Sequence, residues 1–194
     1  MAPERKPHFL DSPDQIDMGR AEKSIRTGGT VSLLIVLGAG SLGYWLLPGV
    51  IRFPEALAER LAFAAQVSSI ILFCLLVAVG MVSTGRRFSA EDIGGAAAGP
   101  PSERLAIKSA FLQNTLEQAV LAVGFYLAFA ALVSGPWLSV LPVSAACFVV
   151  GRVLFYRGYV RGVEGRAFGM TLTMMPVILG YPAVFVLMIL NALG

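Results

Sequence analysis

Charged residues are confined to short segments of this chain, and the segments between them are almost wholly apolar. A helix needs about 20 apolar residues to cross the hydrocarbon core of a bilayer. Four stretches are long enough. They lie between Arg26 and Arg52, between Arg60 and Arg86, between Lys108 and Arg152, and after Arg166, and Glu117 is the only charged residue within them. The pattern therefore predicts an all-α fold, a polytopic transmembrane helical bundle.

The third of these stretches is long enough for two helices. Ser134-Gly135-Pro136 lies near its middle, and such a sequence ends a helix because proline removes a backbone hydrogen bond and glycine favours a turn. A transmembrane β-barrel is excluded, because its strands would alternate apolar and polar residues and these runs do not. We expect a polar tail at 1–28 and five spans, at 29–50, 61–84, 106–134, 138–158 and 168–192.

The composition agrees with a membrane protein. The 194 residues are 56% hydrophobic and 14% charged, whereas a soluble domain carries about 25% charged residues. A soluble enzyme, a disordered chain and a secreted disulfide scaffold are therefore excluded. Cys74 and Cys147 both fall in predicted spans and are expected to pack as small apolar residues, not to form a disulfide or a metal site.

The basic residues predict the orientation in the membrane. The tail before the first span and the loops after the second and fourth spans hold thirteen Lys and Arg residues, against only Arg52 and Arg60 on the other side. Because basic residues stay on the cytoplasmic side, we expect a cytoplasmic N-terminus and an outside C-terminus, in a bacterial inner membrane or its equivalent. The net charge of +3 needs no nucleic-acid partner, since these residues face lipid headgroups.

A glycine-rich sequence in the first predicted span, Gly38-Ala39-Gly40-Ser41-Leu42-Gly43, has the spacing of a dinucleotide-binding turn. Its surroundings do not fit that function, because Pro48 follows in place of an amphipathic helix and no acidic residue lies about 20 positions further on. Small residues in a spanning helix let a second helix approach closely. We therefore expect this sequence to serve helix packing.

Polar residues inside the third predicted span form the first candidate site. Gln113 and Asn114 lie four and three positions before Glu117, so that both share a helix face with it. Glu117 lies roughly 14 Å along the helix axis from Lys108, well inside the membrane. An ionisable group at that depth is a functional-site hypothesis, because leaving it unpaired in hydrocarbon costs several kcal/mol.

Arg152, near the cytoplasmic end of the fourth span, is the matching cation. It shares a helix face with Tyr156 and Tyr159. In adjacent antiparallel helices this face would lie opposite Asn114 and Glu117. Two interpretations stay open: a structural Glu117–Arg152 pair that clamps the bundle, or a polar cleft, open to the cytoplasm, for a small anionic ligand.

Two motifs carry a resemblance to a known family. They are Asn114-x-x-Glu117 early in the third span and Arg152-x-x-Phe155-x-x-Gly158-Tyr159 at the end of the fourth. This arrangement resembles the MAPEG family, the membrane-associated proteins of eicosanoid and glutathione metabolism. The resemblance covers about 61–193 and implies the family's four-helix bundle there. The span at 29–50 has no counterpart in that bundle and is an N-terminal addition.

The resemblance implies a homotrimer that binds glutathione, as a co-substrate, between neighbouring subunits near the cytoplasmic face. The residues implied for holding the tripeptide are Asn114, Glu117, Arg152 and Tyr159, with Gln113 and Tyr156 beside them. Arg166 falls at the spacing of the family's catalytic arginine, whose charge favours the glutathione thiolate. The implied function is a transferase or peroxidase whose thiolate attacks a lipophilic small molecule dissolved in membrane lipid.

Three positions depart from the family's pattern. Ala110 stands where glutathione-using members carry an arginine, Phe155 where the leukotriene enzyme has a tyrosine, and Gln118 in place of a tyrosine after Glu117. An alternative is therefore a non-catalytic protein of the same fold that binds a lipid or a partner protein. The third hypothesis is a small carrier built around Glu117. One acidic residue supports it, and the internal repeat that is typical of such carriers is not evident in the sequence.

Overall fold

The computed structural model describes residues 17–95 and 97–193, and every long element within them is a helix. The helices are α1 (Met18–Leu46), α2 (Leu57–Arg87), α3 (Glu103–Leu132), α4 (Val140–Gly158) and α5 (Gly162–Leu193). Short 3₁₀ segments follow α1, α3 and α4, at Leu47–Gly49, Gly135–Ser139 and Tyr159–Arg161. The predicted all-α fold is confirmed.

Four stretches of the described chain are long and apolar enough to cross a membrane. They are Met18–Gly49, Leu57–Arg87, Glu103–Leu132 and Gly135–Leu193. The last stretch is 59 residues long and contains both α4 and α5. The transmembrane helical bundle is thus confirmed, and the count of five crossings stays a prediction.

Hydrogen bonds between helices define their directions. Tyr126 and Asn114 of α3 bond to Ser144 and Arg152 of α4, respectively, so that the residue numbers rise along one helix as they fall along the other. The two helices are therefore antiparallel. Gly85, near the end of α2, lies against the first turns of α3, so that α2 and α3 are antiparallel as well.

Helix α1 runs parallel to α5. The hydroxyl of Ser24 donates to the carbonyl of Glu164 (3.2 Å), and Ser32 bonds to Thr171 (2.9 Å between the hydroxyl oxygens). The beginnings of α1, α3 and α5 and the ends of α2 and α4 therefore lie at one end of the bundle. We name it the basic end after its residues Arg86, Arg87, Arg104, Arg157 and Arg161. Which side of a membrane it faces stays a prediction.

Helix α1 begins well before the predicted span at 29–50. It starts at Met18, where the side chain of Asp17 accepts a hydrogen bond from the backbone N–H of Arg20 (3.2 Å). The helix thus extends into the segment expected to be a polar tail, whose residues 1–16 lie outside the described chain. Polar residues do not end a helix by themselves, and here Glu22 and Arg26 form an ion pair one turn apart (3.8 Å).

The glycines of the G-x-G-x-x-G sequence differ in their surroundings. A methyl group added at Gly43 would lie 2.7 Å from the side chain of Val143 in α4, so this glycine lets two helices approach. A methyl group at Gly38 or Gly40 would meet nothing within 4 Å. The predicted role in helix packing is confirmed for Gly43, whereas no helix of the described chain approaches Gly38 or Gly40.

The predicted break between the third and fourth spans is confirmed. Helix α3 ends at Leu132, and Gly135 adopts a positive φ of 60°, which glycine reaches without steric cost. Arg60, at the start of α2, donates from Nη1 to the carbonyl of Val133 (2.6 Å). The arginine thereby satisfies a carbonyl that the end of a helix leaves unpaired.

Aromatic side chains fill the centre of the bundle. Phe125 and Tyr126 of α3 and Phe148 of α4 are almost completely buried. The hydroxyl of Tyr126 donates to the hydroxyl oxygen of Ser144 (3.0 Å), so that this buried polar group is satisfied. Among the spanning stretches, the one in α3 is the most buried and the one in α1 the least. Helix α3 is thus central and α1 is peripheral.

Helices α4 and α5 pack in almost direct backbone contact. Gly151 and Gly158 of α4 lie against Gly165 and Gly169 of α5. A methyl group added at Gly169 would overlap the backbone N and Cα of Phe155, and one at Gly158 would overlap the carbonyl of Gly165. Small residues permit such close packing in a membrane, where dispersion forces hold helices together. The contact fixes which side chains of the two helices meet.

One carboxylate links the two described parts of the connection between α2 and α3, on either side of residue 96. Asp92 is buried and accepts hydrogen bonds from the backbone N–H (2.7 Å) and the hydroxyl (2.6 Å) of Ser102. These two bonds, the one from the backbone first, hold the pKa of Asp92 below its usual value. The resulting stabilisation is present above the ordinary pKa of about 3.9 and is lost as the pH falls through the lower pKa of the folded protein.

We expect Gly169→Ala to destabilise the protein by roughly 1–3 kcal/mol, because the added methyl group must displace the backbone of α4. Gly80→Ala in α2 is the matched control, since its methyl group would meet nothing within 4 Å. That control is expected to be neutral or stabilising by up to about 1 kcal/mol, because alanine favours the helix. Unfolding by a denaturing detergent, followed by circular dichroism, measures both values. Equal stability of the two variants would contradict the backbone contact.

Candidate functional site

The side chain of Arg152 lies inside the bundle, with 3% of its surface exposed. Its Nη1 donates to Oδ1 of Asn114 in α3 (2.6 Å), and its Nε donates to Oγ1 of Thr173 in α5 (3.2 Å). The third nitrogen, Nη2, is buried and has no hydrogen-bond partner among the described residues. These three residues, named here the Arg152 cluster, join three helices through one guanidinium group.

Aromatic rings surround the guanidinium. Its Cζ lies 4.7 Å from the centroid of the Phe155 ring and 5.7 Å from that of Phe148. The face of an aromatic ring attracts a cation, and the attraction is stronger where water is excluded. The rings therefore offset part of the cost of removing Arg152 from water. The backbone contact of α4 with α5 brings Thr173 within reach, where it also donates to the carbonyl of Gly169 (2.8 Å).

A chain of ring contacts leads from this cluster to the basic end. The ring of Phe155 contacts those of Phe111 (6.1 Å between centroids) and Tyr159 (5.5 Å). Phe111 also contacts Tyr156 (5.0 Å). The guanidinium of Arg166 lies over the Tyr159 ring, with Cζ 4.5 Å from its centroid. The predicted site residues Arg152, Tyr156, Tyr159 and Arg166 thus lie along one series of contacts, which includes Phe111 of α3.

Glu117 and Arg152 do not form an ion pair in the described chain. Glu117 instead accepts a hydrogen bond from Nε2 of Gln113, one turn earlier in α3 (2.9 Å), and both side chains are exposed. The predicted Glu117–Arg152 pair is therefore wrong within a single chain. Glu117 lies about 60° around α3 from Asn114, and in this rotation of the helix Asn114 meets Arg152 whereas Glu117 is exposed.

The predicted site residues fall into two groups by accessibility. Arg152 is inside, whereas Gln113 and Glu117 are exposed, and the side chains of Tyr156, Tyr159 and Arg166 are partly exposed. Asn114 connects the groups, because it is half-buried and its Oδ1 is engaged by Arg152, which leaves its Nδ2 as a donor. The accessible groups are a carboxylate, an amide, two phenols and a guanidinium, which suit a small ligand that carries both signs of charge.

The three positions that depart from the family's pattern also have defined environments. Ala110 is exposed on α3 near the basic end. Phe155 is buried between Arg152 and Tyr159, so that no hydroxyl is offered at this position. Gln118 is buried, and its Oε1 has no hydrogen-bond partner among the described residues.

Thr173 is the site residue that sequence reasoning missed. It stands in an apolar stretch of α5, where a single hydroxyl usually bonds to the carbonyl one turn earlier and carries no further signal. Its position four residues after Gly169 was the available clue, because a glycine at that spacing marks the closest approach of a neighbouring helix.

Comparison with known proteins identifies the family of the chain. A model of the MAPEG family matches residues 61–190, which include every predicted site residue and exclude α1. No curated protein and no solved structure matches the chain. The matched region covers more than half of the chain and holds both the bundle from α2 to α5 and the Arg152 cluster. The chain therefore belongs to the MAPEG family.

Proposed function

We propose that the protein binds glutathione at the basic end and uses its thiol to modify lipophilic electrophiles, or to reduce peroxides, dissolved in the membrane. The proposal is supported by membership of the MAPEG family over residues 61–190. Charge complementarity supports it further. Glutathione carries one ammonium group, two carboxylates and one thiol, and the accessible residues offer the carboxylate of Glu117 and the guanidinium of Arg166.

The exposure of Glu117 is the observation that carries the proposal. A carboxylate on the surface of a membrane-spanning helix is costly, and Gln113 supplies it with a single hydrogen bond. A second copy of the chain packed on this face would remove the carboxylate from lipid. The ammonium group of a bound glutathione would then neutralise it. We therefore propose a homotrimer that holds glutathione between subunits.

Arg152 acts in this proposal as a positioning residue. With 3% of its surface exposed, it is held away from a ligand at the surface of the bundle. Its hydrogen bond to Oδ1 fixes the amide of Asn114, so that Nδ2 is free to donate to a carboxylate of glutathione. Gln113, Tyr156 and Tyr159 would supply further hydrogen bonds at the accessible face.

Arg166 is the residue proposed to act on the thiol. A free thiol of this kind has a pKa of about 8.5 and is mostly protonated at pH 7. A nearby guanidinium increases the thiolate fraction, because its positive charge stabilises the negative sulfur. The proton leaves to solvent, and the sulfur attacks the electrophilic carbon. A carbon–sulfur bond forms, the bond to the leaving group breaks, and the leaving group departs with the electron pair. With a peroxide the thiolate attacks an oxygen, the O–O bond breaks, and an alcohol and a sulfenic acid form; a second glutathione then converts the sulfenic acid to the disulfide and water.

Two observations favour the non-catalytic alternative, a protein of the same fold that binds a lipid or a partner protein. Ala110 offers no guanidinium to a carboxylate of glutathione, and Phe155 offers no hydroxyl. A site with fewer donors would bind the tripeptide weakly. In this case neither glutathione binding nor turnover would be detected, so that the experiments below distinguish the two functions.

We expect glutathione to bind wild-type protein saturably at millimolar concentration in detergent micelles, measured by calorimetry. Glu117→Gln should weaken binding by roughly tenfold, because it replaces a charge-assisted hydrogen bond by a neutral one. Glu164→Gln is the matched control, since it removes another exposed carboxylate, in the first turn of α5. We expect its affinity to equal that of the wild type.

Two results would contradict the binding proposal. One is the absence of binding to wild-type protein at millimolar glutathione. The other is an equal loss in the Glu117→Gln and Glu164→Gln variants, which would indicate a general effect of net charge instead of a specific contact.

We expect Arg166→Ala to move the rising limb of the pH–rate profile toward pH 8.5, because the bound thiol loses a neighbouring positive charge. At pH 7 the kcat for conjugation of an aryl halide should fall by about tenfold or more, in proportion to the thiolate fraction. Arg166→Lys should retain part of the rate. Arg157→Ala, which removes an exposed arginine at the same end, is the control. An unchanged profile in Arg166→Ala would rule out this role.

A further inference from the structure

A cavity of about 740 Å³ lies in the half of the bundle away from the basic end. Its size is within the range of about 300–1,000 Å³ that is usual for small-molecule sites. Residues of α1 form one wall of it, and α1 lies outside the region matched by the MAPEG family. The cavity is therefore a feature of this chain's additional helix, and it is separate from the proposed glutathione site.

The cavity arises because α1 changes its partner helix along its length. Near the basic end α1 packs on α5, where a methyl group added at Gly28 would lie 3.3 Å from Cα of Phe168. Near its other end α1 packs on α4, with Gly43 against Val143. Beyond Ser32 the axes of α1 and α5 therefore separate, and the cavity occupies the space between them.

Uncharged residues line the whole cavity. Val36 and Gly40 belong to its α1 wall, Pro176 and Ala183 to its α5 wall, and Phe125 of α3 to its base. The polar groups of the described lining are hydroxyls and indole N–H groups, from Ser41, Tyr44, Ser144 and the tryptophans. A charged ligand would be left without a partner at this depth, which is costly. A hydrocarbon chain is complementary to these walls in charge and polarity.

Aromatic residues border the cavity at the end of α1. The ring of Tyr44 contacts those of Trp45 (5.5 Å between centroids) and Trp137 (4.9 Å). Both tryptophans are more than half exposed. Such residues lie at the level of lipid headgroups, where the indole N–H and the phenol O–H donate to ester and phosphate oxygens. Hydrogen-bond donors are thus available where a headgroup would lie.

The length of the cavity corresponds to one leaflet of a bilayer. Its α1 wall extends from Val36 to Trp45, roughly 14 Å along the helix axis. The hydrocarbon core of a bilayer is about 30 Å thick, so that one leaflet contributes about 15 Å. An acyl chain that enters at the aromatic border would reach the level of Val36 with its last carbons.

We propose that this cavity binds one acyl chain of a bilayer phospholipid, with the headgroup beside Tyr44 and Trp137 and the chain end near Val36 and Pro176. The lipid would fill the space between α1 and the other four helices, and would thereby hold the additional helix in place. The proposal rests on the cavity alone and does not depend on glutathione binding.

Photolabelling of the full chain in phosphatidylcholine liposomes tests the proposal. The probe is a phosphatidylcholine that carries a diazirine at the end of one acyl chain, and mass spectrometry locates the adducts. We expect adducts to concentrate at Val36–Gly40 and near Pro176. Gly40→Trp should lower this labelling by roughly tenfold, because the indole displaces about two methylene groups of the bound chain.

Gly38→Trp is the matched control. It places the same side chain two residues away in the same helix, and Gly38 is exposed and outside the cavity lining. Its labelling should equal that of the wild type. If Gly40→Trp does not give a monodisperse protein, Ala183→Phe narrows the cavity from the α5 wall and should lower the labelling in the same way.

Equal labelling in wild type, Gly40→Trp and Gly38→Trp would overturn the proposal, as would adducts spread evenly over all lipid-facing helices. A second copy of the chain seated in the cavity is a further possible occupant. In that case the wild type would show no adducts at these residues, and Gly40→Trp would dissociate the oligomer. This result would also overturn the proposal.

Discussion

The burial of the Arg152 guanidinium is the constraint on which the arrangement of α3, α4 and α5 depends. A positive charge removed from water inside a membrane bundle is costly unless it is surrounded by acceptors and polarisable groups. Here Asn114 and Thr173 each accept one hydrogen bond, and the rings of Phe148 and Phe155 flank the charge. Each acceptor belongs to a different helix, so that a displacement of any one of the three helices would leave the charge less well paired.

This constraint separates the groups that organise the bundle from those that can meet a ligand. The Arg152 cluster lies inside and orients Asn114, whereas Glu117, midway along α3, and the Arg166–Tyr159 pair, at the basic end, are accessible. The additional helix α1 contributes to neither. Helix α1 packs on α5 near the basic end and on α4 near its own C-terminal end. It thereby encloses an apolar space in the half of the bundle away from the basic end. Two environments of different polarity therefore lie at the two ends of one bundle.

Much of the fold could be predicted from charge-free segments and one turn sequence, because the membrane restricts the chain to helices. The apposition of the Asn114 and Arg152 faces followed from helix periodicity. Periodicity did not reveal whether Asn114 or Glu117 would bond to Arg152. The two residues differ by only about 60° around α3, and the rotation of a helix is set by packing. The role of Thr173 was also beyond prediction, because it depends on the close approach at Gly169.

A double-mutant cycle between Asn114 and Arg152 measures this central interaction most directly. Free energies of unfolding in mixed micelles are compared for wild type, Asn114→Ala, Arg152→Met and the double variant. We expect a coupling of about 1.5–3 kcal/mol, because the hydrogen bond is short, charge-assisted and shielded from water. A coupling near zero would contradict the view that Arg152 joins the three helices through its buried partners.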